Sequence, residues 1–237
     1  IASAIFALLA LSSLYVQSKL QFKEDENFTK PTRPSNYLFG PLKKSFELLK
    51  SSKEFKNFQV GFMIGGSALM FIGPALSIFY ADNLELSHKT YTQARYIFMS
   101  LGIICTTPLW KKVAKHYSLN QLMPWVSMIF GLFPIVVVLS FVHKPILYSA
   151  FMCYGIAQAG SHLIWNLSST HFAKDDDSTP YTALNILLQG IRGLFAPVLG
   201  GLFTHLFGPT IVLVIGSFVA FWGMYVMLKN NQKALEN

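Results

Sequence analysis

Charge is what this sequence has least of. Asp, Glu, Lys and Arg make up 13% of its 237 residues, against about 25% in ordinary soluble domains. The 19 basic and 11 acidic residues are also clustered, leaving uncharged stretches at Phe58–Ala81, Leu119–Val142 and Pro145–Ala173. Each is longer than the roughly 20 residues a helix needs to cross a bilayer. Cysteine is nearly absent: Cys105 and Cys153 lie inside apolar stretches, where they behave as small hydrophobes. No disulfide framework and no metal-ligand spacing can be built from them. What is abundant is apolar, with 52% hydrophobic residues and 21 Phe. These features exclude a water-soluble globule, a disordered chain and, despite a formal net charge of +8, a nucleic-acid-binding module.

The pattern predicts an all-α polytopic membrane protein. Six complete transmembrane helices are expected at about 58–81, 91–110, 119–142, 145–172, 180–207 and 210–228. Residues 58–237 thus form a six-helix bundle with a short tail. Ile1–Ser18 is read as a partial span, the end of a helix that begins upstream, since no basic flank precedes it as in a signal peptide. Residues 19–57 form a linker. Within it Lys23–Ser35, with three acids and two prolines, reads as flexible chain, while Leu42, Phe46 and Leu49 recur at helical spacing among lysines. That second part is expected to be an amphipathic helix, lying on the membrane surface or against a neighbouring loop.

Basic residues set the orientation. Segments 19–57, 111–118, 174–179 and 229–237 hold fifteen of the nineteen Lys and Arg; the connections on the other side hold only Lys89 and Lys144. The remaining two are Arg95 and Arg192, inside spans. Short basic loops stay cytoplasmic, so the linker and C-terminus are expected inside, most simply in a plasma (inner) membrane. The lipid bilayer is the first partner, and nucleic acid is not needed to explain the charge.

Polar residues inside the spans carry the chemistry, because polarity there is costly. In the fourth span Gln158, Ser161, His162, Trp165, Asn166 and Ser169 share one helical face; in the fifth, Thr182, Asn185, Gln189 and Arg192 do. Antiparallel pairing of these spans would set Asn166 beside Asn185, His162 beside Gln189 and Gln158 beside Arg192. The two stripes are expected either to line a watery cavity or to bond helix to helix. Gln158, His162, Trp165, Asn166, Asn185, Gln189 and Arg192 are therefore candidate substrate or coupling residues. Arg192 lies near mid-span, and no Asp or Glu occurs in any span. Its counter-charge must be an anionic substrate, an acid elsewhere, or carbonyls and water. His162 can serve as a proton-coupling group or as a neutral hydrogen-bonding residue, the commoner role. Arg95, near Asp82 and Glu85, reads as a snorkelling or ion-paired residue. No metal site or cofactor is expected.

The run from Pro108 through Leu109, Trp110, Lys111 and Lys112 to Ala114, Tyr117 and Ser118 resembles the cytoplasmic signature of major facilitator superfamily transporters. Lys111 and Ser118 stand where that signature has glycines, and Lys115 where it has an acid. Gly193, Ala196, Pro197, Gly200 and Gly201 in the fifth span are similar to the superfamily's glycine-proline helix motif, with Arg192 at its opening glycine. Read on their own, these small residues predict close helix packing and a bend. Tyr91-Thr92, Gly102-Ile103 and Pro108 are echoed by Tyr181-Thr182, Gly190-Ile191 and Pro197, as in an inverted repeat. The chain thus looks like a C-terminal half: the end of helix six, the central loop and helices seven to twelve.

That resemblance implies a secondary active transporter, or permease, moving a small-molecule solute by alternating access with an N-terminal six-helix half. Pro108, Trp110, Lys111 and Lys112 would form its gating loop, and a proton or other ion would be the coupling partner. The alternatives are a half-size carrier, a receptor or a membrane-embedded enzyme. An enzyme is disfavoured because no activated nucleophile or paired acids occur at membrane depth. A retinal-type receptor lacks an intramembrane Lys.

Overall fold

The computed structural model describes residues 46–174 and 177–235, which fall in one compact unit, Phe39–Asn237. The expected partial span Ile1–Ser18, the linker through residue 45, Asp175 and Asp176 lie outside the described residues. Among the described residues every element is a helix and no strand occurs. A short helical segment at 46–51 brings Leu48 and Leu49 onto the core, so the end of the amphipathic stretch packs on the bundle.

Helix ends follow local chemistry. The first long helix, α1 (Lys53–Ile78), begins where the Ser52 side chain accepts the Phe55 N–H at 3.3 Å, with Glu54 in its first turn. It runs on into a π-helical turn, Phe79–Asn83. Next, α2 (His88–Thr92), a π-helical stretch (Gln93–Phe98) and α3 (Met99–Val113) follow end to end. The helix α4 (Leu119–Leu139) opens with the Gln121 side chain accepting the Ser118 N–H at 3.0 Å. After it, α5 (Ile146–Ala173) stops where Lys174 turns to φ +53°, and α6 (Thr179–Phe207) starts with the Asp177 carboxylate accepting the Thr179 N–H at 2.9 Å. A single residue, Gly208 at φ +82°, joins α6 to α7 (Pro209–Leu235); a Cβ would disfavour that backbone.

Among the described residues, four segments are long and apolar enough to cross a membrane: Lys53–Asn83, Leu119–Leu139, Thr179–Phe207 and Pro209–Gln232. The other two expected spans are helical but differ in kind. The second is divided by its π-helical stretch into α2 and α3, and α5 is long enough but diluted by its polar stripe. Membrane residence is supported by what the bundle leaves uncovered. Only 17% of the most apolar window of α6 is buried, and Ile186, Leu194, Phe195, Val198 and Leu202 are exposed on it. A patch of that kind would be a liability in water.

Most of the packing joins helices that are not consecutive. Helix α7 packs against both α4 and α1, α5 against α3 and α4, and α6 against α1. The full-length α5–α6 pair expected from matched polarity does not form: those helices meet only near their connection. Glycines permit the closest approaches. A Cβ on Gly102 would stand 2.5 Å from the Met152 carbonyl oxygen, and one on Gly155 would collide with that of Met99. These two therefore let α3 and α5 touch backbone to backbone. Two core clusters result, one around Phe55, Phe58, Leu122, Phe172 and Tyr181, the other around Ile72, Phe79, Phe133, Leu147 and Leu213.

Candidate functional site

Beside the first of these clusters the helices stand apart. The cavity there, about 370 Å³, is lined by α1 (Phe62 to Met70), α4 (Met123 to Phe130), α5 (Tyr154 to Trp165) and α6 (Gln189, Arg192). That volume lies at the low end of small-molecule sites. Five of the seven candidate residues line it: Gln158, His162, Trp165, Gln189 and Arg192. His162 and Gln158 share a hydrogen bond between their side-chain nitrogens at 3.2 Å. Part of each polar stripe thus lines the same cavity.

Arg192 is 9% exposed and is held entirely by α1. Its Nη1 donates to the Phe62 carbonyl oxygen at 3.0 Å, and its Cζ lies 4.7 Å from the centroid of the Phe62 ring. That ring in turn stacks on Trp165 at 5.4 Å. Room for the guanidinium comes from Gly66, where a Cβ would fall on Nη1 and Cζ. The Nε–H is buried and has no partner, a state that costs about 1–3 kcal/mol or more for a charged group. No Asp or Glu lines the cavity, so α1 supplies a carbonyl and a ring face but no counter-charge.

Asn185 and Asn166 do not line the cavity. Asn185 is buried, and its Nδ2 donates to the hydroxyls of Ser168 at 3.0 Å and Ser169 at 3.3 Å. Its Oδ1 accepts from Gln59 Nε2. The expected partner Asn166 is exposed instead, because the register of contact is shifted and α6 leans onto α1. This network ties α1, α5 and α6 together beside an aromatic group in which Phe55 meets Phe172 and Tyr181 and Phe58 meets Phe172. Asn185→Leu is expected to cost about 1–3 kcal/mol by stranding Gln59 and the two serines. Thermal unfolding in detergent reads this; an unchanged midpoint would show that the network contributes nothing to stability.

Other expected residues fall elsewhere. Of the small residues on α6, Ala196 and Gly200 are buried, and a Cβ on Gly200 would collide with the Phe71 carbonyl oxygen. Gly193 has only Met70 at 3.9 Å and Gly201 has nothing within 4 Å, while Pro197 is half-buried within an unbroken helix. The loop expected at 111–118 is shorter than read, since α3 continues through Lys111 and Lys112 to Val113. Pro108 lies inside α3, and Trp110 donates its Nε1–H to the Ile156 carbonyl at 2.9 Å, pinning α3 to α5. Arg95 forms no ion pair with Asp82 or Glu85; it donates to the hydroxyl of Tyr91, one turn earlier.

The residues that sequence reading missed are Gln59, Phe62 and Gly66. Their spacing of three and four residues puts them on one face of α1, a stripe overshadowed by its apolar surroundings. Compared with known proteins, the chain matches no family model, no curated protein and no solved structure.

Proposed function

We propose that this chain is the C-terminal half of a secondary transporter of the major facilitator type, carrying a small anionic solute through the cavity between α1, α4, α5 and α6. The observation that carries this reading is Arg192, a guanidinium with an unpartnered N–H at the wall of a cavity containing no acid. A charge at membrane depth is costly to keep, about 2.5–3.5 kcal/mol on insertion scales, and such residues mark solute and ion pathways. The polar stripe that lowers the hydropathy of α5 suits a helix whose face meets water. His162 is the one histidine lining the cavity, and imidazole can take up and release a proton, which makes it the coupling candidate. In this reading six spans cross a plasma membrane, and an upstream six-helix half completes the pathway.

Uptake of radiolabelled organic anions into vesicles containing the complete protein is the direct test. Saturable uptake that a membrane gradient drives supports a carrier; none, with ligand-stimulated signalling or product formation instead, would leave the receptor or the enzyme. Orientation is tested separately. Cysteines at 112 and 233 are expected to be protected from impermeant maleimide in intact cells, while those at 82 and 144 react. Labelling of position 112 from outside would reverse the topology.

A further inference from the structure

We infer that the solute is a single-chain lipid with a phosphate head, the head in the cavity and the chain in an apolar groove between α1, α6 and α7, reached through a lateral window that Arg192 closes. The inference names the solute class for the transporter reading and rests on that cavity being the binding site.

The groove, about 480 Å³, is lined by Met63 and Phe71 of α1, Phe195, Leu199 and Phe203 of α6, and Ile215 of α7. Its wall is apolar apart from Ser67 and Arg192. Along α6 it extends from Ile191 to Phe203, about 18 Å at 1.5 Å per residue. Ile191, Phe195 and Leu199 are themselves exposed, so in a membrane the groove meets lipid. Among the described residues Arg192 alone lines both the groove and the cavity. On either side of it α1 and α6 are joined firmly, by Gln59 with Asn185 toward one end and by the close approach of Gly200 to the Phe71 carbonyl toward the other. At the level of Arg192 the seam is filled by flexible side chains. The guanidinium lies over Gly66, and a Cβ on Gly193 would meet only Met70 Sδ, at 3.9 Å. Rotating Arg192 and Met70 would connect cavity and groove.

The cavity suits the head. Arg192 and His162 are its basic side chains, and no acid lines it. The Phe62 carbonyl takes Nη1 of Arg192, and Nε is sealed within the protein, so the guanidinium offers a ligand its charge and Nη2. A phosphate oxygen there gains a charge-assisted hydrogen bond. Ser127, Ser161, Gln158 and Gln189 add hydroxyls and amides to the wall, which match the hydroxyls of a glycerol-type head. A compact, water-soluble anion would leave the groove unused.

Photolabelling of the complete protein in phosphatidylcholine nanodiscs tests this, with radiolabelled dodecanoyl lysophosphatidate carrying a mid-chain diazirine as probe. Labelling of Phe195, Leu199 and Phe203 is expected to be saturable and at least tenfold above that of Leu101 and Ile104, which are exposed on α3 and report ordinary contact with lipid. Moving the diazirine to the head should shift labelling to Trp165 and Tyr154 in the cavity. Arg192→Gln should lower groove labelling at least tenfold, and monododecanoylglycerol with the same mid-chain diazirine should show no preference for the groove. Leu199→Trp fills the groove from an exposed position and should weaken probe binding with the thermal midpoint unchanged. Equal labelling of groove and α3, groove labelling unaffected by Arg192→Gln, or displacement of the probe by an equal concentration of glycerol 3-phosphate would overturn the inference. If vesicles take up no solute while cavity and groove are labelled in this way, transport fails and the lipid recognition stands. If they take up organic anions while the chain labels groove and α3 alike, transport stands and the lipid recognition fails.

Discussion

Protein carrying Arg192→Leu is expected to reach the membrane at normal or higher abundance and to lose uptake per inserted molecule by about a hundredfold or more. The two halves of that expectation have different origins. Insertion improves because a charge costing about 2.5–3.5 kcal/mol at membrane depth is gone. Uptake falls because truncating one member of a desolvated, charge-assisted contact costs about 2–5 kcal/mol, and roughly 3 kcal/mol is about a hundredfold. Gly66→Ala should reproduce the loss by a different route. Its Cβ leaves no place for Nη1 and Cζ where they now stand, so the guanidinium must leave the Phe62 carbonyl. The far end of a long side chain moves readily, and so folding should be spared while recognition is not. Uptake normalised to surface-labelled protein separates these effects. Wild-type uptake by Arg192→Leu would show that the residue neither binds solute nor couples its movement. An aggregated, uninserted Arg192→Leu would instead assign the charge to an ion pair with an acid outside the described residues.

Helix placement was largely legible, because uncharged length is a signal carried by each segment alone. The spans read at 119–142, 145–172 and 180–207 correspond to Leu119–Leu139, Ile146–Ala173 and Thr179–Phe207. Which helices touch was not legible. Matching polarity in depth on α5 and α6 is equally well satisfied by direct contact and by two walls facing across water. The structure has contact at Asn185 with Ser168 and Ser169, and separation at Gln158, His162, Gln189 and Arg192. The holder of Arg192 was hidden for a related reason. A carbonyl belongs to every residue, and a helical glycine usually reads as packing, so nothing at Phe62 or Gly66 advertises a distant guanidinium. Of the partners open to Arg192, an anionic substrate, an acid elsewhere, or carbonyls and water, α1 supplies a backbone oxygen and an aromatic face, neither of which is a counter-charge.

Adjacent glycines on α6 are expected to respond to alanine with opposite signs. In an ordinary helical site Gly→Ala is favourable, by up to about 1 kcal/mol, through helix propensity. Gly201 has open space around its Cβ position, so Gly201→Ala should be neutral or stabilising. Gly200 has the Phe71 carbonyl there, a backbone atom in the middle of α1 that cannot swing aside. Gly200→Ala must push α6 from α1, and overpacking of this kind costs about 1–3 kcal/mol, occasionally more. Gly155→Ala should behave likewise by separating α5 from the Met99 carbonyl of α3. The effect is large for one methyl group because helices in lipid gain no hydrophobic advantage by associating; close van der Waals packing is what holds them. The same displacement should spread to the site, since α1 carries both Phe71 and the cradle of Arg192. Thermal unfolding in detergent is the measurement, with binding of the anion probe as its companion. Equal midpoints for Gly200→Ala and Gly201→Ala would show that α1 and α6 do not approach as closely as the fold requires.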